Sequence, residues 1–317
     1  MPLRRPSGNS AISPIRRRTA SLLFCLCAWL GLVAASQAAG IDVYIMAGQS
    51  NMVGGNTATL PAGLNPQSDV LYQYLLHTSS PDIQSTSWGP LRSLAGVAPA
   101  AAYASDLSFA HAMKTRTGNK VAIIKVAANA TSLALNWDPE TGTHVYTPGG
   151  LYDWMINKVN SSMSQLVDLG YQPHVAGFVW VQGEGDSSSP NDSANYNENL
   201  ADFSQAIRTD LGVPEMPFLY NQLHASLLVT GGNQYKWRDT VRASQAEADA
   251  LPNMFMVNAD DLQLGPDSVH FTSNMHVELG RRFADVLAPS ADFNYDGLVD
   301  DADFSLFVVA YDNLVCP

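Results

Sequence analysis

A serine, an acid and a histidine stand in this chain at positions that suit nucleophilic catalysis. Ser50 follows an apolar run at residues 41–47 and a glycine, Gly48, while Asp267 and His270 lie together near the other end. A serine hydroxyl becomes a good nucleophile only when a base takes its proton and a third group orients that base. Asp267 can reach the imidazole nitrogen that faces away from the serine. Ser50, His270 and Asp267 are therefore the predicted catalytic residues.

We expect the strands of a buried sheet, covered on both of its faces, to carry these residues. Continuous apolar runs of strand length alternate with longer stretches of helical periodicity, which predicts a parallel sheet covered by helices on both sides. The predicted strands are residues 41–47, 121–127, 175–181, 218–220 and 254–257, and the predicted helices are residues 107–113, 156–167, 196–211 and 277–287.

Polar residues follow three of these strands. Ser50 comes after the first strand, Asn129 after the second and Gln182 after the third. Because ligands of such folds bind beyond the carboxyl ends of the strands, we expect these residues to converge on one edge of the sheet. Residues 53–104 are rich in Gly, Pro, Ser and Ala. They are predicted to be loops over that edge, with one short strand at residues 70–75.

The segment 1–39 predicts an export signal. Its arginines precede an apolar stretch at residues 21–33 that is too short to span a bilayer comfortably, and residues 36–38 (Ser-Gln-Ala) offer a small-x-small cleavage site. An uncleaved membrane anchor is the alternative. We expect an exported protein, periplasmic, secreted or at the cell surface, whose mature form does not span the membrane.

The net charge limits the classes of binding partner, and the cysteine content limits the ways in which the fold can be stabilised. Removal of the segment takes five of the 17 Lys and Arg residues and none of the 29 Asp and Glu residues, which leaves a net charge of −17. Such an acidic chain is not expected to bind nucleic acid or anionic lipid, whereas neutral or uronic-acid polysaccharide remains open. Only Cys316 stays in the mature chain, so stability must come from burial rather than from an internal disulfide.

Residues 48–51 (Gly-Gln-Ser-Asn), 180–186 (Trp-Val-Gln-Gly-Glu-Gly-Asp) and 267–271 (Asp-Ser-Val-His-Phe) resemble the motifs of a known superfamily. It is the SGNH-hydrolase superfamily, and within it the sialate O-acetylesterase branch and the sixth carbohydrate esterase family. Residues 123–137 are similar to that family's second block. For residues 40–289 the resemblance implies a three-layer α/β/α sandwich with a parallel, flavodoxin-like sheet.

The resemblance also implies an activity. It points to a serine esterase that removes acetyl groups from a sugar or polysaccharide of the acetylxylan or sialate type and needs no cofactor for catalysis. Ser50 would attack the acetyl carbonyl while His270 moves the proton. The backbone N–H groups of Ser50 and Asn129 and the side-chain amide of Gln182 would form the oxyanion hole, although the family usually has glycine where Asn129 stands. Glu184 is the alternative to the aspartate as the acid.

Two other functions stay open. One is a general short-chain esterase or lipase of the same fold, and the other is a non-catalytic carbohydrate-binding surface protein. Loss of a catalytic residue would favour the second, yet the serine, aspartate and histidine are all present. Trp88, Trp137, Tyr146 and Trp154 can either stack on sugar rings or pack inside the protein.

The tail at residues 290–317 predicts one calcium loop followed by a short helix. Oxygen ligands fall at the spacing of a twelve-residue loop, and Gly297 permits the sharp turn within it. The final aspartate resembles a dockerin repeat, but dockerins carry two repeats and this chain shows one. Docking to a cohesin-like partner and a calcium-stabilised attachment to the cell surface both remain open. The predicted ligands are Asp292, Asn294, Asp296, the carbonyl of Leu298, Asp300 and Asp303.

Overall fold

The computed structural model describes residues 38–55, 60–78, 82–94, 103–139, 150–228, 234–289, 291 and 299–315. Its strands are β1 (Ala39–Gly48), β2 (Gln67–His77), β3 (Ile83–Gln84), β4 (Gly89–Leu91), β5 (Val121–Ala128), β6 (Tyr171–Val181), β7 (Phe218–Asn221) and β8 (Met254–Val257). Its helices are α1 (Ser50–Val53), α2 (Asp106–Thr117), α3 (Leu133–Asn136), α4 (Gly150–Asp168), α5 (Pro190–Ala194), α6 (Tyr196–Asp210), α7 (Arg238–Ala248), α8 (Ser273–Leu287) and α9 (Asp301–Val315), with a 3₁₀ turn at Asp186–Ser188.

The strands form one sheet in the order β3-β2-β5-β1-β6-β7-β8, with β4 paired to β2. The pairings that join β2, β5, β1, β6, β7 and β8 are all parallel. The short strands β3 and β4 run antiparallel to β2. From β5 to β8 the order is flavodoxin-like, and β2 adds a strand beyond β5. The prediction of an α/β fold with a mostly parallel sheet is confirmed.

Side chains of the central strand β1 alternate between two hydrophobic clusters. Tyr44 and Met46 pack on one face with residues of α2 and α8. Val43 and Ile45 pack on the other face with residues of α4, α6 and α7. Because both faces of the strand are buried, its sequence is an uninterrupted apolar run rather than an alternating one. The sheet is thus the middle layer of three.

The loop prediction for residues 53–104 is wrong in its middle part. Strand β2 is longer than the segment predicted there and pairs with β5 along its whole second half. Its buried positions include Gln67 and Gln73, whose polar groups break the apolar pattern that would reveal a strand. Helix α7 escaped prediction for the same reason, since Ser244 and Gln245 are part of its buried face.

Most of the start of the chain and part of its C-terminal tail lie outside the described residues. The predicted export segment 1–39 is described only at its last two residues, and β1 begins at Ala39. In the part that is described, no helix is long and apolar enough to cross a membrane. Helix α9 follows the predicted calcium loop and exposes apolar side chains, among them Phe304, Phe307 and Tyr311.

Candidate active site

Ser50 stands at the carboxyl end of β1 as the first residue of helix α1. Two residues earlier, Gly48 has a φ of 149°, and a Cβ atom there would lie 2.1 Å from the carbonyl oxygen of Val181 on β6. Only glycine allows the two strand ends to approach so closely. The next N–H group, that of Gln49, donates to the same carbonyl at 3.0 Å. Backbone pairing therefore continues up to the residue before the serine and fixes its position.

Asp267 and His270 lie on a tight turn between β8 and α8. The N–H of Ser268 donates to the carbonyl of Gly265 at 2.9 Å and closes the turn. Within it, Asp267 Oδ1 accepts hydrogen bonds from the N–H groups of Val269 and His270, both at 3.0 Å. The turn thereby holds the carboxylate against the backbone of the histidine.

Ser50, His270 and Asp267 form a continuous line of hydrogen bonds. His270 Nε2 lies 2.9 Å from Ser50 Oγ, and His270 Nδ1 lies 2.7 Å from Asp267 Oδ2. Burial by itself raises the pKa of Asp267, but hydrogen bonds from the His270 ring and from two backbone N–H groups outweigh it and lower that pKa. The ionised carboxylate favours the tautomer with a proton on Nδ1, which leaves Nε2 free to accept the serine proton.

These three residues border an open cavity of about 420 Å³. The side chains of His270 and Asp267 are 46% and 53% exposed, so a substrate can reach them without any opening of the protein. The cavity is lined by Gln49, Ser50, Gly54, Gly55, Asn129, Ala130, Tyr235, Asp267, His270, Phe271 and His276.

Glu184, the alternative acid, contacts the histidine turn through another residue. It is 4% exposed, and its Oε1 accepts a hydrogen bond from Asn51 Nδ2 at 2.7 Å. Burial raises the pKa of Glu184, against smaller opposing effects of Asn51 and His270. Asn51 in turn donates to the carbonyl of Val269 at 3.2 Å and accepts from the N–H of Phe271 at 3.1 Å. Glu184 therefore acts on the turn through Asn51, a residue to which the sequence reasoning gave no role.

The expectation that Gln182 donates to an oxyanion needs correction. Gln182 is 1% exposed, and its Nε2 already donates to Gln49 Oε1, the carbonyl of Thr131 and Asp186 Oδ2, at 3.1, 3.1 and 2.6 Å. An amide carries two N–H groups, so these acceptors use its whole donor capacity. Gln182 instead joins the ends of β1, β5 and β6.

Asp186 completes this buried network. It accepts hydrogen bonds from the N–H groups of Leu133 and Ala134 at 2.8 and 3.0 Å, in addition to the one from Gln182. Burial raises the pKa of Asp186 to about 6 even though these hydrogen bonds oppose the shift. Its only signal in the sequence was its place at the end of the 180–186 motif.

The second oxyanion expectation, the backbone N–H of Asn129, also needs correction. This N–H donates to the carbonyl of His77 at 3.0 Å, which extends the pairing of β2 with β5. Asn129 is still one of the residues that line the cavity bordered by Ser50. Ala130 follows with a φ of 55°, a left-handed conformation that glycine adopts more easily.

Two cavity residues had no signal in the sequence. His276 lies in the first turn of α8 and is buried. Burial lowers the pKa of His276 to about 3, and the charge of Lys125 adds to the shift, so the ring is neutral near pH 7. Tyr235 lies before α7 with a φ of 54°. Both side chains touch the space in front of the serine.

The described residues contain no group of three or more His, Cys, Asp or Glu side chains that could hold a metal ion. Of the predicted calcium ligands, only Asp300 and Asp303 are described. Asp303 Oδ2 accepts from the N–H of Asp300 at 2.9 Å, and Asp300 Oδ1 accepts from the N–H of Ala302 at 2.8 Å. These bonds cap the start of α9. The other predicted ligands, Asp292, Asn294, Asp296 and Leu298, lie outside the described residues.

Residues 40–288 match the family described as carbohydrate esterase, sialic acid-specific acetylesterase. A protein of Arabidopsis thaliana named probable carbohydrate esterase is 25% identical over 257 residues, which are 77% of this chain and 88% of the plant protein. The X-ray structure of that protein superposes with a TM-score of 0.61 at 22% identity, covering 78% of this chain and 97% of the other. A carbohydrate acetylesterase from Xanthomonas citri gives a TM-score of 0.55 at 19% identity, covering 78% of this chain and 56% of the other. These two structures support the fold.

Proposed function

Because this chain belongs to the carbohydrate esterase family of sialic acid-specific acetylesterases and is a carboxylic ester hydrolase, we propose that Ser50, His270 and Asp267 remove O-acetyl groups from sugar hydroxyls. The observation that carries the proposal is the line of hydrogen bonds from Ser50 Oγ through both ring nitrogens of His270 to Asp267, at 2.9 and 2.7 Å, beside an open cavity. The proposed substrates are acetylated sugars or polysaccharides of the acetylxylan or sialate type.

In the first half of the reaction Ser50 Oγ attacks the acetyl carbonyl carbon, and its proton moves to His270 Nε2. The carbonyl oxygen becomes negatively charged, and we assign its stabilisation to the N–H of Ser50 and the side-chain amide of Asn129. Each such donor contributes about 3 kcal/mol to the transition state in related chemistry. The bond to the sugar oxygen then breaks, that oxygen takes the proton from His270, and an acetyl-serine remains.

In the second half a water molecule attacks the acetyl-serine. His270 Nε2 takes a proton from the water and returns it to Ser50 Oγ as the ester bond breaks, so acetate leaves and the free serine is restored. Asp267 stays ionised throughout and stabilises the positive charge that His270 carries in both halves. No step requires a cofactor.

Acetate release from a panel of acetylated glycans tests this function, with Ser50→Ala as the control. We expect release by the wild type from at least one glycan and none by the variant. Faster hydrolysis of octanoyl than of acetyl 4-nitrophenyl esters, without release from any glycan, would favour the general esterase or lipase. Glycan binding without any hydrolysis would favour the non-catalytic surface protein.

We also propose that the tail binds one calcium ion through Asp292, Asn294, Asp296, Leu298, Asp300 and Asp303. The spacing of these oxygen ligands supports the proposal, as does the start of a capped helix at the end of the loop. Attachment to the cell surface is the role we propose for the calcium-bound tail. Calorimetry of the full chain with calcium should show one site that the double variant Asp292→Asn, Asp296→Asn lacks, while EGTA should leave the esterase activity unchanged.

Export is the last part of the proposal. It rests on the arginine-rich start, the apolar stretch at residues 21–33 and the cleavage site at residues 36–38. Mass spectrometry of the protein recovered outside the cytoplasm tests both export and cleavage. A mature chain that begins near residue 39 is expected, whereas a full-length chain held in the membrane fraction would indicate an uncleaved anchor.

A further inference from the structure

A second cavity, of about 550 Å³, lies between helix α4 and the β2–β3 edge of the sheet. Most of its lining residues are polar, among them Asp82, Gln84, Asn157, Lys158 and Gln165, and Trp154 is the one aromatic residue of the lining. The reaction proposed for Ser50 uses none of these residues. A polar cavity with one aromatic wall has the composition expected of a site for a ligand rich in hydroxyl groups.

The floor of this cavity is a buried polar network built around Lys158. Lys158 Nζ donates to Gln73 Oε1 at 2.7 Å and to the carbonyl of Ser85 at 2.6 Å, and both partners are uncharged. Burial lowers the pKa of Lys158 to about 8. Ser162 Oγ donates to the same Gln73 oxygen, and Gln73 Nε2 donates to Gln165 Oε1. An ammonium group has three N–H bonds, so one remains for a group that enters the cavity.

Trp154 brings this cavity to the same edge of the sheet as Ser50. Helix α4 connects the parallel strands β5 and β6 and runs back against them, so its first turns, which carry Trp154, lie at the carboxyl edge. Contacts also link the two cavities. The N–H of Asn129, which lines the first, donates to the carbonyl of His77, and the His77 ring is paired with Asp82, which lines the second.

We propose that this second cavity is a glycan subsite, which binds uncharged sugar residues of the chain whose acetyl group enters the Ser50 cavity. The inference rests on the proposed function and names a further binding site for its substrate. The C–H face of a sugar ring would lie on the Trp154 indole, and its hydroxyl groups would bond to the amides of Asn157 and Gln165 and to Lys158. The lining holds one carboxylate, that of Asp82, and one ammonium, that of Lys158, so it carries no net charge that would favour a charged sugar.

Substitution of Trp154 should weaken the reaction with a polymer and spare the reaction with a small ester. We expect Trp154→Ala to raise KM for acetylated xylan by about 3- to 10-fold, the range of an aromatic contact. Its kcat/KM for 4-nitrophenyl acetate should stay within about twofold of wild type, and Trp154→Phe should recover most of the loss. Trp237→Ala is the matched control, since Trp237 is similarly half-buried but lines neither cavity.

Equal losses of Trp154→Ala on both substrates would show a merely structural effect and overturn the subsite. Calorimetry with alkali-deacetylated xylan in a Ser50→Ala background provides an arm that needs no turnover. There, unchanged affinity after Trp154→Ala would also overturn the subsite. If the wild type releases acetate from no glycan, the proposed function is overturned instead. The calorimetry with deacetylated xylan would then still test whether the second cavity binds a glycan.

Discussion

The serine half and the histidine half of the site are held in opposite ways. Around the serine, Asn51, Gln182 and Glu184 stand at strand ends, and the bonds Asn51–Glu184 and Gln182–Gln49 each join residues 133 positions apart. Around the histidine, the side chains of Asp267 and His270 are about half exposed, and two N–H groups of their own short turn hold Asp267, which bonds to the His270 ring. The side chains of His270 and Asp267 are therefore open to solvent, while the polar side chains that join the strand ends around Ser50 are buried.

This difference separates activity from stability. Leaving a buried polar group without its partner costs about 1–3 kcal/mol, whereas an exposed ion pair contributes about 0–1 kcal/mol. Substitutions in the exposed turn are therefore expected to remove activity and leave the fold intact. Substitutions in the buried network are expected to reduce stability, and to reduce activity only through displacement of the turn.

The largest expected effect is on turnover by His270→Ala and Ser50→Ala. Each should lower kcat for 4-nitrophenyl acetate by at least about 10³-fold, because each removes a group that takes part in bond making or proton transfer. His270→Ala should keep the thermal midpoint of the wild type, since the ring is half exposed. Turnover close to wild type in either variant would contradict the assignment of the catalytic residues.

The next effect contrasts the two carboxylates. Asp267→Asn should lower kcat by about 10²- to 10⁴-fold, since the amide favours the wrong tautomer of His270. Glu184→Gln should cost less than about tenfold, because the hydrogen bonds that connect Glu184 to the histidine turn pass through Asn51. Steady-state kinetics of the two variants decide between them. The reverse order would move the orienting role to Glu184, and equal partial losses would mean that the two share it.

Stability should show the opposite contrast. Asn51→Ala removes the hydrogen bond from Asn51 to the buried Glu184 side chain and two bonds to the histidine turn. It should lower the free energy of unfolding by about 2–3 kcal/mol. Asp267→Asn, the exposed counterpart, should change it by less than about 1 kcal/mol. Urea unfolding at pH 7 measures both, and similar values would remove the distinction between a buried and an exposed half.

The smallest predicted effect concerns the buried His276 beneath the turn. Its folded pKa of about 3 lies below the ordinary value of 6.5, so the unfolded chain takes up a proton first as the pH falls. Stability is then full above pH 6.5 and is lost progressively below it. Between pH 7.5 and 5, His276→Gln should lose about 2 kcal/mol less than wild type. If urea unfolding shows that wild type and variant lose the same free energy of unfolding between these pH values, folding does not lower the pKa of His276.

The sequence predicts the sheet well where both faces of a strand are buried, as in β1 and β5, because burial of both faces requires a continuous apolar run. It places a strand at residues 70–75 but misses the full length of β2, and it misses α7, because their buried faces carry glutamines that find partners elsewhere in the fold. Gln73 is an example, since its amide is bonded to side chains of α4. No local sequence pattern indicates which polar residues become buried through distant contacts.

The same reasoning separates what could and could not be foreseen in the site. Placement of Ser50 beyond a strand, and of Asp267 and His270 on one short turn, follows from local spacing, and the structure brings these residues together. The oxyanion donors could not be assigned in this way. Whether the Gln182 amide is free depends on Asp186 and Thr131, and whether the Asn129 N–H is free depends on a neighbouring strand.

The distance along the chain between the proposed catalytic residues would make the activity a reporter of folding. Ser50 and His270 lie 220 residues apart in sequence, and so do the partners of the Asn51–Phe271 bond. Contacts that close such long loops form late, since their entropy cost must be met before they contribute any stabilisation. During refolding from urea, turnover of 4-nitrophenyl acetate should therefore return only in the slowest phase, after the fluorescence change of the buried Trp180. Activity that precedes this change would mean that the two halves of the site meet before the sheet between them is complete.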